Sequence, residues 1–467
     1  MAALKRIKDF KQPTPTNKER PFEYHELFFS ITDKKSHITF ANDVFIRISG
    51  YEEEELIGVL HKLIRHPDMP RAVFNIFWNF LLNDKPVAAY VKNLAKDGSY
   101  YWVMALAFPC EEGYLSIRLK PGSVMFTTVQ ALYDQTLLYE KQQEKKTDKK
   151  TAMQQAEEFL LQKIDDLGFE SYESFMWSAL EAEMKNRQNH LDKNEFRSTY
   201  QNSTIPKQML ELNDLLYKLF KHLDNLKSLQ TTLNENSGFI LELARTIFLL
   251  SINAQIGSSR LDQDDISLSV VAQKMGEQAV KGEDFLEHMQ VTISQLQDLL
   301  NRLSFDIISS KLMTETTNYY ANEVYSSDTN SYSFSELSPQ DIVSLLQDSF
   351  LPYVTKTNHS LKQVPSYLNE LDHDVQDIER FLKVLRFVHN TGKIEIARLK
   401  KSANGFSTTF KELLKEIDSA QKRVESLANH ILESKSHNKF YAASNRSLKQ
   451  ITEQLGNEAI IKNAVTT

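Results

Sequence analysis

The pattern of apolar and polar positions changes about a quarter of the way along the chain. Residues 25–122 contain short apolar runs, rich in β-branched and aromatic residues and separated by turn residues, which is typical of strands. Five strands are predicted, at residues 28–32, 37–40, 88–93, 100–109 and 114–118. The pair Asp97-Gly98 predicts a tight hairpin between the third and fourth of these strands.

Between the second and third strands the pattern changes to that of short helices. Residues 71–82 place apolar side chains three and four positions apart, which predicts an amphipathic helix. Its apolar face consists of Val73, Phe74, Phe77, Trp78 and Leu81. The order of two strands, small helices and three strands predicts an α+β domain, in which a five-stranded antiparallel sheet carries helices on one face and leaves a pocket between them.

Beyond residue 204 the apolar residues repeat at heptad spacing, which is typical of coiled coils. Four arms carry the repeat: Met209, Leu212, Leu216, Leu219, Leu223, Leu226 and Leu233; Leu286, Met289, Ile293, Leu296, Leu300, Leu303 and Ile307; Leu368, Leu371, Val375, Ile378, Leu382 and Leu385; Phe410, Leu413, Ile417, Ala420, Val424, Leu427 and Ile431. Polar tips at 260–267 and 400–405 separate the arms of each pair. We therefore predict a mainly α region of two antiparallel coiled-coil hairpins, related by duplication.

These patterns divide the chain into six segments. The predicted boundaries are a flexible N-terminal arm at 1–24, the α+β domain at 25–122, a helical connector at 123–204, a first hairpin at 205–318, a polar loop at 319–339 and a second hairpin at 340–467. Within the connector, the charge run at 140–150 is interpreted as a solvated helix face. The apolar cluster of Phe175, Met176, Trp177 and Leu180 is expected to dock on a neighbouring element.

Composition excludes several classes of function. The net charge of −7 is spread along the chain, so nucleic-acid binding, which needs a basic face, is not predicted. Hydrophobic residues make up 41% and charged residues 25%, as in ordinary soluble proteins. The single cysteine, Cys110, provides no disulfide framework, and the scattered histidines predict no metal site.

The most apolar run, at residues 238–256, is too polar for a membrane span. Glu242 and Arg245 interrupt it, whereas a transmembrane helix needs ~20 nearly uncharged residues. We therefore predict a buried helix and no transmembrane segment. The first 24 residues lack the apolar core of a signal peptide, and the expected location is cytoplasmic.

Candidate binding chemistry concentrates at residues 65–70, Arg-His-Pro-Asp-Met-Pro. Proline fixes its own φ and disfavours helix geometry in the residue before it. Arg65, His66 and Asp68 therefore hold a cation, an imidazole and a carboxylate at fixed points, as a ligand site requires. In the alternative interpretation, Arg65 pairs with Asp68 to pin the loop, and His66 and Trp78 are ordinary structural residues.

With this run, the α+β domain resembles the flavin-binding PAS domain of bacterial aerotaxis receptors. The resemblance covers nearly the whole domain. The matching pieces are Phe40-Ala41-Asn42-Asp43, Ser49-Gly50-Tyr51, Arg65-His66-Pro67-Asp68-Met69-Pro70, Phe77-Trp78, Val91-Lys92-Asn93, Asp97-Gly98 and Tyr101-Trp102-Val103.

The resemblance implies FAD in the pocket and a signal linked to redox state or oxygen. By position, the residues that match the family's flavin site are Asn42, Arg65, His66, Asp68, Trp78 and Asn93. Their chemistry agrees, because an arginine fork pairs with phosphate or carbonyl oxygens and side-chain amides suit ring edges. Trp78 and Trp102 are expected to wall the ring. Val87 replaces the tryptophan of a Pro-Trp pair in the receptors, so one aromatic wall is missing.

The two hairpin tips resemble the cytoplasmic tip of methyl-accepting chemoreceptors, in degenerate form. The matching pieces are Leu249-Leu250, Asn253-Ala254, Ile256, Arg260 and Val270-Val271-Ala272 in the first hairpin, and Ile394-Glu395, Ala397-Arg398 and Gly405-Phe406 in the second. Gly257 stands where the receptors have glutamate. The resemblance implies coupling to the chemotaxis histidine kinase and its coupling adaptor through tip residues Asn253, Arg260, Glu395 and Arg398.

Two functions remain open at this point. No Walker loop, dinucleotide-binding glycine motif, nucleophile elbow or His-Glu-x-x-His motif occurs, so no catalytic residues and no enzyme are predicted. The first hypothesis is a homodimeric sensory transducer for aerotaxis or energy taxis, in which FAD in the PAS domain controls the helical hairpins. The alternative is a cofactor-free PAS scaffold or adaptor that mediates dimerisation and protein–protein interaction.

Overall fold

The N-terminal domain contains the predicted five-stranded antiparallel sheet. The computed structural model describes residues 12–111, 113–193, 207–258, 266–326, 335, 337–398 and 404–465. The strands are β1 (Phe28–Asp33), β2 (Ile38–Ala41), β3 (Val87–Leu94), β4 (Tyr100–Cys110) and β5 (Gly113–Leu119), in the spatial order β2-β1-β5-β4-β3. All neighbours are antiparallel. The predicted α+β class and strand number are confirmed.

The segment between β2 and β3 forms the small helices on one face of the sheet. They are α1 (Asp43–Ser49), α2 (Glu53–Leu56), a 3₁₀ turn (His61–Ile64) and α3 (Arg71–Leu82). α3 has the predicted bounds. Pro70 precedes it with a φ of −56°, so the fixed backbone of proline sets where the helix begins.

Residues 12–24 are held against the sheet, in contrast to the expected flexible arm. The backbone N–H of Arg20 donates to the carbonyl of Tyr100 at 2.7 Å, and the N–H of Thr16 donates to the carbonyl of Gly98 at 2.7 Å. Residues 1–11 lie outside the described part of the chain. The prediction of a flexible arm was wrong because it rested on the polar side chains, whereas the arm is held by backbone hydrogen bonds to the start of β4.

Helices α4 (Val124–Gln143), α5 (Lys149–Asp166) and α6 (Tyr172–Lys193) form the connector. The apolar cluster on α6 docks as expected, since the Met176 sulfur accepts from the backbone N–H of Ala88 at 3.3 Å. The interpretation of residues 140–150 as a solvated face is wrong at Glu140. This buried carboxylate accepts from Arg71 Nε at 2.7 Å and from the N–H of Ala72 at 3.2 Å, and so caps α3.

The long helices are α7 (Lys207–Ser258), α8 (Ile266–Ser326), α9 (Pro339–Arg398), α10 (Asn404–Ser436) and α11 (Asn438–Val465). Every heptad residue named above is buried, which confirms the predicted faces. The predicted polar loop begins later than expected, because α8 continues to Ser326. Tyr320 belongs to that helix and packs edge-on against Phe29 and Phe40 of the sheet, with ring centres 5.4 and 5.5 Å apart.

The chain divides into two compact units. Among the described residues, the first unit takes those up to Tyr217, 305–355 and from Ile451 onwards, and the second takes 218–304 and 356–450. α7, α8, α9 and α11 therefore contribute residues to both units. Nowhere in the described ranges does a helix combine the length and apolarity needed to cross a membrane.

Within the second unit, α7, α8, α9 and α10 contact one another in a closed ring. The contacts are Gln230 Nε2 to Asn301 Oδ1 at 2.7 Å, His288 Nδ1 to Asp374 Oδ1 at 2.9 Å, Arg386 Nη2 to Asp418 Oδ1 at 2.6 Å, and Arg423 over the Phe239 ring at 4.4 Å. Each hairpin pairs its own two helices antiparallel. The parts of the two predicted hairpins that belong to this unit thus form one four-helix bundle, and the heptad residues of the unit are buried.

Candidate functional site

A cavity lies between the sheet and the small helices of the N-terminal domain. Its volume is about 120 Å³, room for on the order of ten water molecules. It is lined by Thr32, Ser36, His61, Lys62, Ile64, Arg65, Phe74, Phe77, Trp78, Leu81, Val91, Asn93, Ala105, Ala107, Tyr114, Ser116 and Arg118. Three of the six sequence-predicted flavin residues are among them: Arg65, Trp78 and Asn93.

Aromatic side chains form one wall of the cavity. α3 presents Phe74, Phe77 and Trp78 at helical spacing, so that they share one face. Trp78 meets Tyr114 of β5 edge-on, with ring centres 5.4 Å apart. These three α3 rings keep accessible surface, while Ile76 on the same helix is fully packed. The wall therefore offers flat apolar area to a ligand.

The floor of the cavity follows from the alternation of side chains along the strands. Ala105 and Ala107 of β4 point inwards and are small, which leaves the space open. Trp102, at even register, points to the other face and meets the Phe126 ring of α4 at 5.4 Å. The expectation that Trp102 walls the ligand is therefore wrong. Val87 is buried at the start of β3 and does not line the cavity.

Arg65 reaches the cavity from the loop that follows the 3₁₀ turn. Its backbone is extended, with a φ of −74° and a ψ of 124°, as expected close to the prolines. The guanidinium carbon lies 3.9 Å from the centre of the Phe74 ring, and Nη2 donates to the carbonyl of Met69 at 3.4 Å. Burial lowers the pKa of Arg65 to about 10. It remains a cation at neutral pH and keeps donors for an anionic or carbonyl oxygen.

His66 and Asp68 order the loop and do not line the cavity. His66 is buried, and its Nδ1 accepts from the backbone N–H of Asp68 at 3.1 Å. Burial and the nearby Lys92 lower the pKa of His66 to about 4. Asp68 pairs with Lys92 at 2.7 Å. The alternative in which Asp68 pairs with Arg65 is therefore wrong, although both residues do stabilise the loop.

Asn93 and Asn42 have different surroundings. Asn93 is buried on β3 and lines the cavity, and its Nδ2 has no hydrogen-bond partner within the described ranges. Asn42 caps α1 instead, where its Oδ1 accepts from the N–H groups of Phe29 at 3.0 Å and Phe45 at 3.4 Å. Asn42 does not line the cavity. Its side-chain oxygen accepts from backbone N–H groups, as expected of a residue at a helix N-cap.

The cavity residues that the sequence did not single out include His61 and Arg118. The guanidinium of Arg118 is buried, and Nη2 lies 2.5 Å from His61 Nε2. An arginine at an inward position of a strand is a usable signal, because Tyr114, Ser116 and Arg118 share one face by alternation. His61 carried no such signal, since its direction depends on the 3₁₀ turn.

These side chains fit a flavin ring. A fused three-ring system is flat, apolar on its faces and rich in acceptors and N–H groups at one edge. The cavity matches it with aromatic walls, small alanines on the floor, and the free amide donor of Asn93. Arg65 and the exposed Lys62 are cations of the lining that would hold the phosphates of a flavin tail. No cluster of three metal-ligating side chains occurs in the described ranges.

Residues 38–114 match the family described as the PAS fold. The N-terminal domain is a PAS domain. The aerotaxis receptor of Escherichia coli (strain K12) is 40% identical over 126 residues, which is 26% of this chain and 25% of the receptor. The nitrogen fixation regulatory protein of Klebsiella pneumoniae is 30% identical over 124 residues, 25% of each chain. This chain therefore spans about a quarter of the length of these relatives.

A likeness to a solved structure covers a fifth of the chain. The light-state structure of the blue-light photoreceptor Aureochrome1 LOV is 22% identical and covers 20% of this chain and 81% of its own, with a TM-score of 0.19. The family match and the 40% identity to the aerotaxis receptor confirm the predicted resemblance to an aerotaxis-receptor-type PAS domain. Long helices follow this PAS domain, as predicted.

The tip residues lie on two different hairpins. Asn253 is exposed near the end of α7, and Arg260 lies outside the described residues. Near the end of α9, Arg398 Nη1 donates to Glu395 Oε1 at 2.9 Å, one turn away, and its side chain is exposed. Glu395 and Arg398 therefore present a paired charge at the surface.

Proposed function

We propose that the protein is a sensory transducer whose PAS domain binds FAD and senses redox state or oxygen. It signals through its chemoreceptor-like helices to the chemotaxis kinase pathway, in aerotaxis or energy taxis. The observation that carries this proposal is the meeting of Arg65, Trp78 and Asn93 in one cavity, within a domain 40% identical to that of an aerotaxis receptor.

Each of these residues has a task toward the ligand. Trp78 covers one face of the ring by stacking. Asn93 donates from Nδ2 to a ring-edge acceptor, which satisfies an amide that otherwise has no partner in the described ranges. Arg65 binds an oxygen of the tail or of the ring edge. The flavin supplies the electron-transfer chemistry, and the protein supplies binding, orientation and electrostatics.

A route from cavity to helices runs through the sheet. Its outer face packs against the long helices within the first unit: Phe29 of β1 meets Tyr320 of α8 at 5.4 Å, and Phe108 of β4 meets Tyr353 of α9 at 5.0 Å. The carboxylate of Glu323 on α8 accepts from the N–H of Asp43 at 3.0 Å. A shift of the strands when the ligand changes charge therefore reaches α8 and α9 directly.

The absorbance spectrum of the purified protein tests the flavin part. We expect a yellow protein, with flavin released on denaturation. Trp78→Ala is expected to lower the affinity for FAD at least tenfold, because the stacking wall is lost. Trp102→Ala is the matched control, since Trp102 lies on the opposite face of the same sheet. It is expected to keep the flavin and to lower the melting temperature.

A colourless protein that takes up no FAD on reconstitution overturns the flavin part. The cofactor-free scaffold then becomes the better explanation. Equal loss of flavin in the Trp78 and Trp102 variants also contradicts the assignment, because binding then depends only on the integrity of the fold.

Coupling to the kinase rests on the exposed tip residues. We expect the full chain to retain a chemotaxis histidine kinase and its coupling adaptor in a pull-down. Asn253→Arg and Arg398→Glu are expected to weaken this retention at least tenfold, and Lys439→Glu on α11 serves as an exposed control. If the wild type retains neither the kinase nor the adaptor, or if both tip variants retain them as well as the wild type does, the proposed coupling to the kinase is contradicted. Cell fractionation tests the predicted cytoplasmic location.

A further inference from the structure

Arg118 is a buried cation that faces no carboxylate in the described part of the chain. Its side chain is 2% exposed. Its hydrogen-bond partners are neutral: Nη1 donates to the carbonyl of Ser116 at 3.1 Å, and Nη2 donates to Ser30 Oγ at 3.0 Å and to His61 Nε2 at 2.5 Å. The ring of Phe45 lies 5.0 Å from the guanidinium carbon.

His61 does not neutralise this charge. Because Nε2 accepts from Arg118, the His61 proton sits on Nδ1 and the ring is neutral. Burial, reinforced by the positive Arg118, lowers the pKa of His61 to about 3. Burial also lowers the pKa of Arg118 to about 10, so the guanidinium stays charged at neutral pH. The pair therefore holds a full positive charge.

Arg118 differs from Arg187, another buried arginine of the first unit, whose positive charge is balanced by a carboxylate. Arg187 Nη1 lies 2.6 Å from Glu315 Oε2, and the ammonium of Lys311 also pairs with Glu315. Burying an ion costs several kcal/mol unless a partner offsets it. If Arg118 served only for packing, its charge would cost stability without any benefit to the fold. A ligand that brings negative charge to this point offsets the cost.

The cavity places Arg118 where a ligand edge can reach it. Arg118, Ser116 and Asn93 line the same cavity, and Asn93 Nδ2 has no hydrogen-bond partner in the described ranges. We propose that Arg118 stabilises the negative charge that a bound flavin gains at its pyrimidine edge on reduction. This inference rests on the proposed binding of flavin.

The charge balance is simple. When dithionite reduces the bound ring, it delivers two electrons, and one proton comes from solvent, which leaves the reduced ring with one negative charge. Arg118 keeps its own proton and supplies the counter-charge, while the amide of Asn93 donates to the same edge. Arg118 thereby favours the reduced over the oxidised ligand, and no bond to the protein forms or breaks.

The test is the midpoint potential of bound FAD, titrated with dithionite in the full chain. In Arg118→Met we expect the preference for reduced over oxidised flavin to fall at least tenfold, which is about 30 mV for a two-electron couple. Arg118→Lys keeps the charge and is expected to lose less than half of that shift. Arg71→Met is the control, because Arg71 pairs with Glu140 outside the cavity; it is expected to leave the potential unchanged.

The melting temperature of the flavin-free protein gives a second readout. Replacing an uncompensated buried charge with an apolar side chain is neutral or stabilising, so Arg118→Met is expected to keep or raise it. Arg71→Met, which breaks a paired charge, is expected to lower it. A structural role for Arg118 predicts the opposite result: a lower melting temperature and an unchanged potential.

Other outcomes are also decisive. An Arg118→Met protein that folds but takes up no oxidised flavin overturns the inference, since Arg118 then holds the oxidised ligand. A variant that does not fold overturns it as well. If the wild type takes up no flavin, the proposed function fails, and the melting temperatures still decide whether the charge of Arg118 is uncompensated.

Discussion

At the scale of single residues, Glu315 of α8 shows how much one carboxylate can hold together. It lies between two buried cations, with Arg187 Nη1 at 2.6 Å and the Lys311 ammonium one helical turn away. Burial by itself raises the pKa of Glu315, but Lys311 and Arg187 lower it to about 2. The ionised carboxylate is therefore part of the folded state.

Glu315→Gln is expected to destabilise the protein by about 3–5 kcal/mol, because Lys311 and Arg187 then remain buried beside a neutral amide. Urea denaturation followed by circular dichroism measures this. The stabilisation by Glu315 is complete above its ordinary pKa and is lost as the pH falls towards about 2. The wild type should therefore approach the variant in strong acid. Equal stability of the two proteins at neutral pH contradicts this account.

His66 predicts a pH dependence at milder acidity. Its pKa is lowered from 6.5 to about 4, so the unfolded chain binds a proton that the folded chain rejects. The stabilisation is complete above about pH 6.5 and is lost as the pH falls towards about 4. His66→Asn keeps an acceptor for the N–H of Asp68 but does not titrate. We expect the slope of unfolding free energy against pH to fall by up to about 1.4 kcal/mol per pH unit.

The same slope in the wild type and in His66→Asn between about pH 5 and 6 would show that His66 titrates normally in the fold.

The sequence identified the type of residue in the cavity better than its direction. Arg65, Trp78 and Asn93 line the cavity as expected, whereas Asn42, His66 and Asp68 surround it as loop and helix-cap residues. Spacing along a loop does not tell which side chain turns inward, since that depends on the backbone of each residue. The binding roles of all six stay a prediction until flavin is measured.

At the scale of elements, α10 offers a direct comparison of two leucines. Leu427 belongs to the predicted heptad and is 1% exposed, while Leu432 on the same helix is 70% exposed. Leu427→Ala is expected to cost about 2–5 kcal/mol through the lost burial and the cavity that remains. Leu432→Ala is expected to change stability by less than about 0.5 kcal/mol.

Denaturant unfolding of both variants, followed by far-ultraviolet circular dichroism, provides the measurement. Similar losses in the two variants would contradict the assigned helix faces, and a large loss in Leu432→Ala alone would point to a partner covering that surface.

Helix α8 shows where an element departs from its expected pattern. Residues 305–318 are all buried, although many are polar. Ser309, Ser310, Thr314 and Asn318 have side-chain polar atoms without a hydrogen-bond partner in the described ranges. A heptad pattern predicts one buried and one solvated helix face. It therefore could not predict that residues 305–318 are buried on every side. Tyr320 was assigned to the polar loop for the same reason. The residues around it are rich in tyrosine and serine, as in a loop, but its ring packs on the sheet.

At the scale of the whole molecule, the prediction of a homodimer and the prediction of a duplicated hairpin both concern how the long helices bury their apolar faces. Within the second unit, α7, α8, α9 and α10 already close a ring of contacts in one chain. A second chain is therefore not needed to bury the heptad residues of this unit. A homodimer must use surface outside this ring.

We expect light scattering on the full chain to report a dimer, as the sequence predicts. Dilution below the dissociation constant is expected to yield monomers with unchanged helix content, because the bundle closes within each chain. Loss of helix on dilution would contradict the intramolecular bundle. A monomer at all concentrations would contradict the homodimer and leave the bundle intact.

By itself, the sequence determined the five strands of the sheet, the bounds of α3, and the buried faces of the long helices. Each depends on local periodicity, which side-chain direction follows closely in regular elements. Tertiary structure alone decided that Glu140 caps α3, that Lys18 and Arg20 pair with Tyr100 of β4, and that Arg118 meets His61 in the cavity. These are contacts between residues far apart in the chain, and no local pattern encodes which distant group satisfies a buried charge or backbone donor.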